Sequence, residues 1–353
     1  MKQEAIKEAT SDEKSNHHVN CPKDIRTIYR LFDVDPSFTT YACCPVPTCS
    51  SLYPLSSSDG LQVMEYPLRC KNSRFGKTCN TPLMHGFHQS QANTNVPKPI
   101  KVFHYHSFHD HVASMLARPG IEDAIQSNMT KGILEKELTD IVSSSTLRNF
   151  VDHSGRRFLQ MEGDEIRLIW ALSADWYNPY GNKASGKVVS FGVIAMTCLS
   201  LPPHLRNLEE NMYLAGIIPG PHEPPVDAVN HFITPLINDL NVSYRHGIRY
   251  SKTYCHANGR TSRSAIIPVI ADTMASKKIT GNCGHRGTFF CSRCRLHRDC
   301  IENLDVLSWP PGLTRSQHEL FADKWRDAGS KKKQDLVVKN HGIRWSPLLL
   351  LPY

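Results

Sequence analysis

The sequence predicts an α+β or α/β fold in which a mixed β-sheet is flanked by helices. Between residues 165 and 272 it contains four short apolar runs, and an amphipathic segment of helical period separates the third run from the fourth. Short apolar runs bounded by charges and turns are typical of buried strands. The first and fourth runs each end at an aspartate. These observations predict the order strand, strand, strand, helix, strand.

Each predicted strand stops at a residue type that interrupts a β-ladder. Proline cannot donate a ladder hydrogen bond, and a turn redirects the chain. In chain order the strands are "IRLIWALSAD" ending at Asp175, "KVVSFGVIAMTCLSLPP" halted by Pro202 and Pro203, "NMYLAGIIPGPHEPP" halted by Pro219, and "SAIIPVIADT" ending at Asp272.

The predicted helix lies in "VDAVNHFITPLINDL". Pro224 and Pro225 stand at its start, where a missing N–H costs least, and Pro235 inside it predicts a kink. Its apolar positions share one helical face; they are Val226, Val229, Phe232, Leu236, Ile237 and Leu240.

This order of elements, with acids at the ends of the first and fourth strands, is the arrangement of an RNase H-like fold. The two strands are neighbours in that fold, and neighbouring strands lie about 4.8 Å apart. Asp175 and Asp272 would then meet and could share divalent cations. Mg²⁺ prefers carboxylate and water oxygens, and phosphodiester cleavage gains from two ions about 3.5 to 4 Å apart. On pattern alone, acids at strand ends are more often helix caps or turn formers.

Composition sets wider limits. The chain has 353 residues, 40% hydrophobic residues and a net charge of +8, which suits a globular protein and permits an anionic partner such as nucleic acid. Residues 1–18 lack the apolar stretch of a secretory signal, and no apolar run is long enough to span a bilayer. We therefore expect an intracellular protein whose cysteines are reduced and bind metal.

Four regions are predicted along the chain. Residues 1–20 are polar and form a disordered tail. Residues 21–100 form a cysteine-rich, zinc-ribbon-like segment, and residues 101–160 form a helical spacer, since apolar residues recur at helical spacing from about residue 104. Residues 161–353 form a partial RNase H-like domain with a Cys-x-x-Cys insertion at about 280–340.

Two cysteine pairs predict a first zinc site. Cys44 and Cys49 are followed by Cys70 and Cys79, in a segment with too few apolar residues to fold unaided. Four thiolates suit tetrahedral Zn²⁺, and the binding energy of the ion would hold such a segment together. Cys43 could replace Cys44, and scattered buried cysteines are the alternative interpretation.

A second cluster lies in "NCGHRGTFFCSRCRLHRDC". Cys291 and Cys294 form a tight Cys-x-x-Cys knuckle, and His285 is the preferred next ligand because it precedes the knuckle by a hairpin-sized distance. The remaining candidates are Cys283, His297, Cys300 and His341.

The histidine-rich tract "FHYHSFHDH" offers another metal site in principle. On a helix, His104 and His111 would share a face, whereas His106 and His109 would lie elsewhere. A solvated or packed histidine face is the commoner outcome. An unrelated metalloenzyme would need both His104 and His111 as ligands.

The core of the sequence resembles the CACTA-type DNA transposases, the transposase-21 group of mobile elements. That family has an Asp-x-x-Asn-Pro-x-Gly turn, a Leu-Pro-Pro segment, an Ile-Pro-Gly-Pro segment and a Pro-Leu-containing helix in this order. The matching stretches here are Asp175 to Gly181, Leu201 to Pro203, Ile218 to Pro221 and Pro235 to Leu236. The resemblance runs from about residue 40 to the C-terminus.

The resemblance implies the DDE class, whose RNase H-like domain cuts and joins DNA strands with Mg²⁺ or Mn²⁺. It implies Asp175 as the first acid, Asp272 as the second, and Cys291 and Cys294 as the knuckle of the insertion. It also implies transposon-end DNA as the partner, a nuclear location and a homo-oligomer.

The resembling family supplies its third acid in helices beyond the point where this sequence stops. Glu302, Asp305, Glu319 and Asp323 are available acids, but nothing around them marks one as the ligand. We therefore expect a C-terminally truncated, transposase-derived protein that is inactive alone. The alternative is a zinc-dependent DNA- or protein-binding module without catalysis.

Overall fold

An eight-stranded mixed sheet organises the chain. The structure is a computed structural model, and it describes residues 24, 27, 37–57, 64–85, 98–134, 137–152, 154–160, 163–181 and 189–353. All the elements below belong to one compact unit, Ser37–Tyr353. The predicted tail, residues 1–20, lies outside the described residues.

The strands differ greatly in length, from two residues in the cysteine-rich segment to thirteen in the centre of the sheet. They are β1 (Phe38–Cys43), β2 (Leu52–Tyr53), β3 (Ser56–Ser57), β4 (Met64–Glu65), β5 (Ser73–Arg74), β6 (Lys77–Thr78), β7 (Val102–His106), β8 (Glu165–Tyr177), β9 (Phe191–Cys198), β10 (Met212–Ile218), β11 (Ile248–Tyr250) and β12 (Arg260–Val269).

The main sheet has the order β11-β12-β8-β9-β10-β7-β1-β2. Strands β8, β9 and β10 are antiparallel neighbours, and β12 pairs with β8 in parallel. The four predicted strands are present as β8, β9, β10 and β12, and the first and fourth lie side by side, but β11, which the sequence does not predict, precedes the fourth. Residues 166–172 of β8 are all buried, which requires that both faces of the sheet are covered there.

The α-helices account for that cover. In the described residues they are α1 (Phe108–Leu116), α2 (Ile121–Leu134), α3 (Ser145–Arg148), α4 (Pro203–Arg206), α5 (Val226–His246), α6 (Thr273–Ile279), α7 (Arg315–Arg326) and α8 (Lys331–His341). Helix α5 contacts β12, α6 contacts β8, and α1 contacts both α5 and β10.

Helix α5 follows the apolar period that predicts it. Its buried side chains include Val229, Phe232, Leu236 and Leu240. The helix continues through Pro235 and ends at Gly247, whose φ of 72° is accessible to glycine at little cost. Ending the helix here turns the chain directly into β11.

Two secondary-structure predictions need correction. The helical interpretation from about residue 104 is wrong at its start, because Val102–His106 is strand β7 and helix α1 begins at Phe108. Strand β7 pairs with β1 and β10, so strand pairing overrides the helical spacing of this stretch. The predicted fourth strand also stops early, at Val269, and leaves Asp272 outside it.

None of the helices in the described part of the chain combines the length and apolarity that a bilayer crossing requires.

An aromatic cluster joins α1 to the centre of the sheet. The ring of His111 lies 5.0 Å from that of Tyr213 and 6.0 Å from that of Trp170. His111 is 8% exposed, and its Nε2 has no hydrogen-bond partner among the described residues. Burial, with smaller contributions from His106 and Arg118, lowers the pKa of His111 to about 4. The imidazole is therefore buried in its neutral form.

We expect His111 to make the fold sensitive to acid. Its pKa is lower in the folded chain than the 6.5 of an unperturbed histidine, so the unfolded chain binds the extra proton first and stability falls as pH drops from about 6.5 to about 4. Over this pH range the wild type should lose up to ~3 kcal/mol of unfolding free energy that the His111→Phe variant retains. Urea unfolding at several pH values measures the difference; parallel pH profiles would contradict it.

Candidate metal centre and paired acids

Four cysteines converge in the cysteine-rich segment. The Sγ atoms of Cys44, Cys49, Cys70 and Cys79 all lie within 4.8 Å of one another, and the first three residues are buried. This is the single group of three or more potential His, Cys, Asp or Glu ligands in the part of the chain that the structure describes. The predicted first site is thus assembled from residues up to 35 positions apart.

The spacing of the sulfur atoms fits tetrahedral zinc. Cys44 Sγ lies 3.8 Å from Cys79 Sγ, and Cys49 Sγ lies 3.6 Å from Cys70 Sγ. Zn–S bonds of about 2.3 Å in a tetrahedron place the sulfur atoms about 3.8 Å apart. A disulfide would need about 2.05 Å instead. The donor set and its dimensions therefore suit Zn²⁺.

Polar groups surround the four sulfur atoms. Asn72 Nδ2 donates to Cys49 Sγ at 3.2 Å, and the Tyr53 hydroxyl contacts Cys70 Sγ at 3.2 Å. Such contacts offset the negative charge of metal-bound thiolates and fix their orientation. Neither Asn72 nor Tyr53 is predicted from the sequence. A polar residue does stand two positions after three of the cysteines, at Ser51, Asn72 and Thr81.

The thiol environments distinguish Cys79 and Cys43. The Thr81 hydroxyl, 3.2 Å from Cys79 Sγ, is the main reason that the pKa of Cys79 is lowered to about 7. Burial raises the pKa of Cys43 to about 12, and its Sγ points toward the carbonyl oxygens of Cys44 and Ser50. The convergent set thus contains Cys44, and the alternative with Cys43 is not supported.

The second cysteine cluster is only half assembled. The backbone N–H groups of Arg293 and Cys294 approach Cys291 Sγ at 3.3 and 3.4 Å, as in a compact knuckle. His285 lies elsewhere, with its Nδ1 3.0 Å from Met274 Sδ. Cys283 Sγ donates to the Phe289 carbonyl oxygen.

Cys283, His285, His297 and Cys300 all belong to the described residues, yet none joins the knuckle in a group of three ligands. A cavity of about 180 Å³ beside the knuckle is lined by Cys291, Cys294 and His318 among other residues.

The histidine tract does not form a metal site in the described residues. His104 lies on strand β7, where its Nδ1 contacts the Thr40 hydroxyl at 3.0 Å, and His111 is packed in the aromatic cluster on α1. The two side chains therefore do not share a helical face, and the metalloenzyme alternative loses its ligands.

The parallel pairing of β8 with β12 brings the segments of the two predicted acids to one end of the sheet. Leu172 is in register with Val269, and the Ile270 N–H donates to the Leu172 carbonyl at 2.8 Å. Asp175 and Asp272 each lie three residues beyond this registered pair. Both side chains are exposed.

Each acid also makes the local bond that the ordinary interpretation predicts. Asp272 is the N-cap of α6, and its Oδ1 accepts from the Ala275 N–H at 2.7 Å. Asp175 lies inside β8, two residues before its end, and its Oδ1 accepts from the Trp176 N–H at 2.8 Å. One carboxylate oxygen of each acid is thus used locally, and Oδ2 is left for another partner.

The four other acids that the sequence offers, without marking one as a ligand, are Glu302, Asp305, Glu319 and Asp323. Arg315 pairs with Glu319 and Arg326 pairs with Asp323 on α7, while the Asp305 carboxylate accepts a backbone N–H in its own turn. No third carboxylate in the described ranges joins Asp175 and Asp272 in a group of three ligands.

Comparisons with known proteins bear on both sites. Residues 142–306 match the model of a family described as transposase family tnp2. The match includes β8, β12, both aspartates and the Cys291 knuckle, and it begins after the four-cysteine cluster. A search of curated proteins gives no match.

We expect the chain to bind one zinc ion, through the four-cysteine cluster. Replacing Cys70 with serine should remove the zinc and lower the unfolding free energy by roughly 3 kcal/mol or more, because the ion supplies folding energy to this segment. Metal analysis and thermal unfolding of the purified protein test this. Cys43→Ser and Cys291→Ser are the matched controls and should keep the ion. Loss of a second zinc equivalent in Cys291→Ser would show that the knuckle also binds metal.

Proposed function

Residues 142–306 belong to the transposase family tnp2, and from this premise we propose that the chain acts on DNA through an acid pair, Asp175 and Asp272, of the DDE type. The proposal includes an RNase H-like catalytic fold, a CACTA-type origin, transposon-end DNA as the partner, a nuclear location and a homo-oligomer. The family match supports a transposase-derived protein.

The observation that carries the proposal is the register of β8 and β12. Because the two strands are parallel and Leu172 faces Val269, the chain reaches Asp175 and Asp272 at the same end of the sheet and after the same number of residues. Two-metal phosphodiester cleavage uses ligands that hold cations about 3.5 to 4 Å apart, and carboxylates at a common edge are suited to that role. A helix cap alone would account for Asp272 but gives no reason for the matched position of Asp175.

The local bonds of Asp272 and Asp175 indicate how each carboxylate would bind a cation. Asp272 is held by its bond to the Ala275 N–H, so its second oxygen is oriented by the start of α6. Asp175 is held within a strand and bonds the next amide. Mg²⁺ or Mn²⁺, when bound, supplies Lewis-acid activation of a water or hydroxyl and stabilises the leaving oxygen. The two carboxylates bind and position the cations.

Two carboxylates without a third make a weak site. In the described residues no third acid lies with the pair, and both carboxylates are exposed to water, which competes for the cation. We therefore propose that the chain binds divalent cations weakly and does not cleave DNA alone, since the preorganisation required for chemistry is incomplete.

DNA binding is the second part of the proposal. The net charge is +8, and Arg286, Arg293 and Arg298 are exposed around the Cys291 knuckle. Arg298 donates to the Arg286 carbonyl at 2.6 Å, so these two arginines lie together. Exposed arginines that are not neutralised by carboxylates are suited to phosphate contacts.

We expect Mn²⁺ to bind with a Kd on the order of 1 mM, and binding should weaken several-fold in Asp175→Asn and in Asp272→Asn. Asparagine keeps the helix cap at position 272, so the second variant separates cation binding from helix stability. Electron paramagnetic resonance titration of free Mn²⁺ measures the affinity. Unchanged binding in both variants would remove the acid pair from the proposal.

Nicking of plasmid DNA with Mg²⁺ or Mn²⁺ tests the predicted lack of cleavage. We expect no metal-dependent nicking by the wild type beyond that of Asp175→Ala. Metal-dependent nicking by the wild type that Asp175→Ala abolishes would overturn the inactivity and would support a complete catalytic site.

Binding of duplex DNA should fall steeply with salt, because phosphate contacts release counterions. The triple variant Arg286→Ala, Arg293→Ala, Arg298→Ala should bind about tenfold more weakly and show a shallower salt dependence. Fluorescence anisotropy between low and moderate salt measures both quantities. The control is the triple alanine variant of Arg315, Arg326 and Lys331, which pair with acids. If both triple variants lost the same DNA affinity, a specific role of the knuckle would be contradicted.

A further inference from the structure

The four-cysteine cluster lies in a small unit that we call the cysteine module, residues 42–53 and 64–84. Cys43 belongs to the main core, but six other buried residues of the module form a small cluster of their own, with Val46, Tyr53, Tyr66 and Cys79 packed against it. The six are Ala42, Cys44, Cys49, Cys70, Leu83 and Met84. A core this small supplies little folding energy. The module therefore depends on cross-links at its cysteines for a fixed shape.

A short hairpin projects from the module between two of the cysteines. Strands β5 and β6 are joined by Phe75 and Gly76, whose φ values of 52° and 74° are those of a tight two-residue hairpin turn. A two-stranded hairpin of this size is marginal by itself. Cys70 precedes it and Cys79 follows it, so metal binding closes its base.

The bonds at the base of the hairpin involve the metal ligands directly. The Cys79 N–H donates to the Asn72 carbonyl at 2.8 Å, and Asn72 Nδ2 donates to Cys49 Sγ at 3.2 Å. The position of Arg74, at the tip of β5, thus depends on the geometry of the cysteine cluster.

Arg74 connects the hairpin to two helices. Its Nη1 forms an ion pair with Asp227 in the first turn of α5, and its Nη2 donates to Gln334 Oε1 on α8 at 2.8 Å. Gln334 is 4% exposed, and it also contacts α7, because its Nε2 donates to the Trp325 carbonyl at 3.2 Å. One arginine therefore bridges the module, α5 and the C-terminal helix pair.

A second contact joins the module to α5. Ser51 Oγ lies 3.4 Å from Cys49 Sγ and 3.3 Å from His231 Nε2. His231 follows Asp227 by one helical turn, so both contacts hold the N-terminal part of α5.

An ion pair also joins the segment before α5 to α6, the helix that Asp272 caps. Lys278 of α6 forms an ion pair with Glu223, just before α5. The Lys278 ammonium lies 4.6 Å from the centre of the Trp176 ring, in the residue next to Asp175. Two acids at or just before the start of α5 thus each pair with a base, Asp227 with Arg74 and Glu223 with Lys278.

We infer that the zinc-bound cysteine module holds Asp272 in position: Arg74 fixes the start of α5, and α5 with Glu223 fixes α6 through Lys278. Arg74 is a positioning residue, since it reaches the candidate acid only through other residues. The inference rests on the proposed function for the role of Asp272 in cation binding. The mechanical coupling itself does not.

Hydrogen–deuterium exchange of the full chain tests the coupling and requires no measurement of activity. In the Arg74→Ala variant with zinc bound, amide exchange in residues 226–232 and 273–279 should accelerate about 3–10-fold, the range for a half-buried ion pair and one hydrogen bond. Chelation of the zinc from the wild type should accelerate exchange in the same residues. Lys77→Ala, an exposed residue of the same hairpin, is the matched control and should behave as the wild type.

Two further measurements make the outcome decisive. Zinc content must remain at the wild-type level in Arg74→Ala, which separates loss of the bridge from loss of the metal. Asp227→Asn removes the same ion pair from the side of α5 and should accelerate exchange in the same residues. It serves as the test if Arg74→Ala does not fold. Wild-type exchange of residues 273–279 in both zinc-loaded variants would overturn the inference, whatever the result of the Mn²⁺ titrations.

Discussion

The parallel pairing of β8 with β12 is the interaction on which the rest of the structure depends. It joins segments about a hundred positions apart in the chain, and its register aligns the ends of two strands rather than only their centres. A parallel pair must have a crossover connection, here provided by β9, β10 and α5. The placement of Asp175 and Asp272 at one end of the sheet follows from that pairing.

The cysteine module solves a different problem. Strands β1 and β2 extend the main sheet through β7, but the rest of the module has few apolar residues to bury. Four sulfur atoms at zinc-like spacing replace the missing core. Arg74 of the same module pairs with Asp227 of α5, so the module contacts a helix in the part of the chain that matches the transposase family.

Much of the fold could be predicted from local pattern, and the failures have identifiable causes. The apolar runs around Trp170 and Ile266 predict strands because each must be buried along its whole length. Helical spacing predicts a helix where strand β7 lies, because its five residues directly precede helix α1 and only pairing with β1 and β10 makes them extended. Spacing places His285 at the knuckle, but its ring contacts Met274, a partner that lies on α6.

The sequence by itself determined the four apolar strands, the amphipathic face of α5 and three of the four thiolates of the first site, Cys49, Cys70 and Cys79, because these depend on residue type and on periodicity or pairing along the chain. Only the tertiary structure decided that Cys44 rather than Cys43 belongs to the cluster and that Asp272 caps a helix. It also decided that Arg74 bridges the module to Asp227 and Gln334. These features depend on side-chain direction and on contacts between distant segments, which no local pattern encodes.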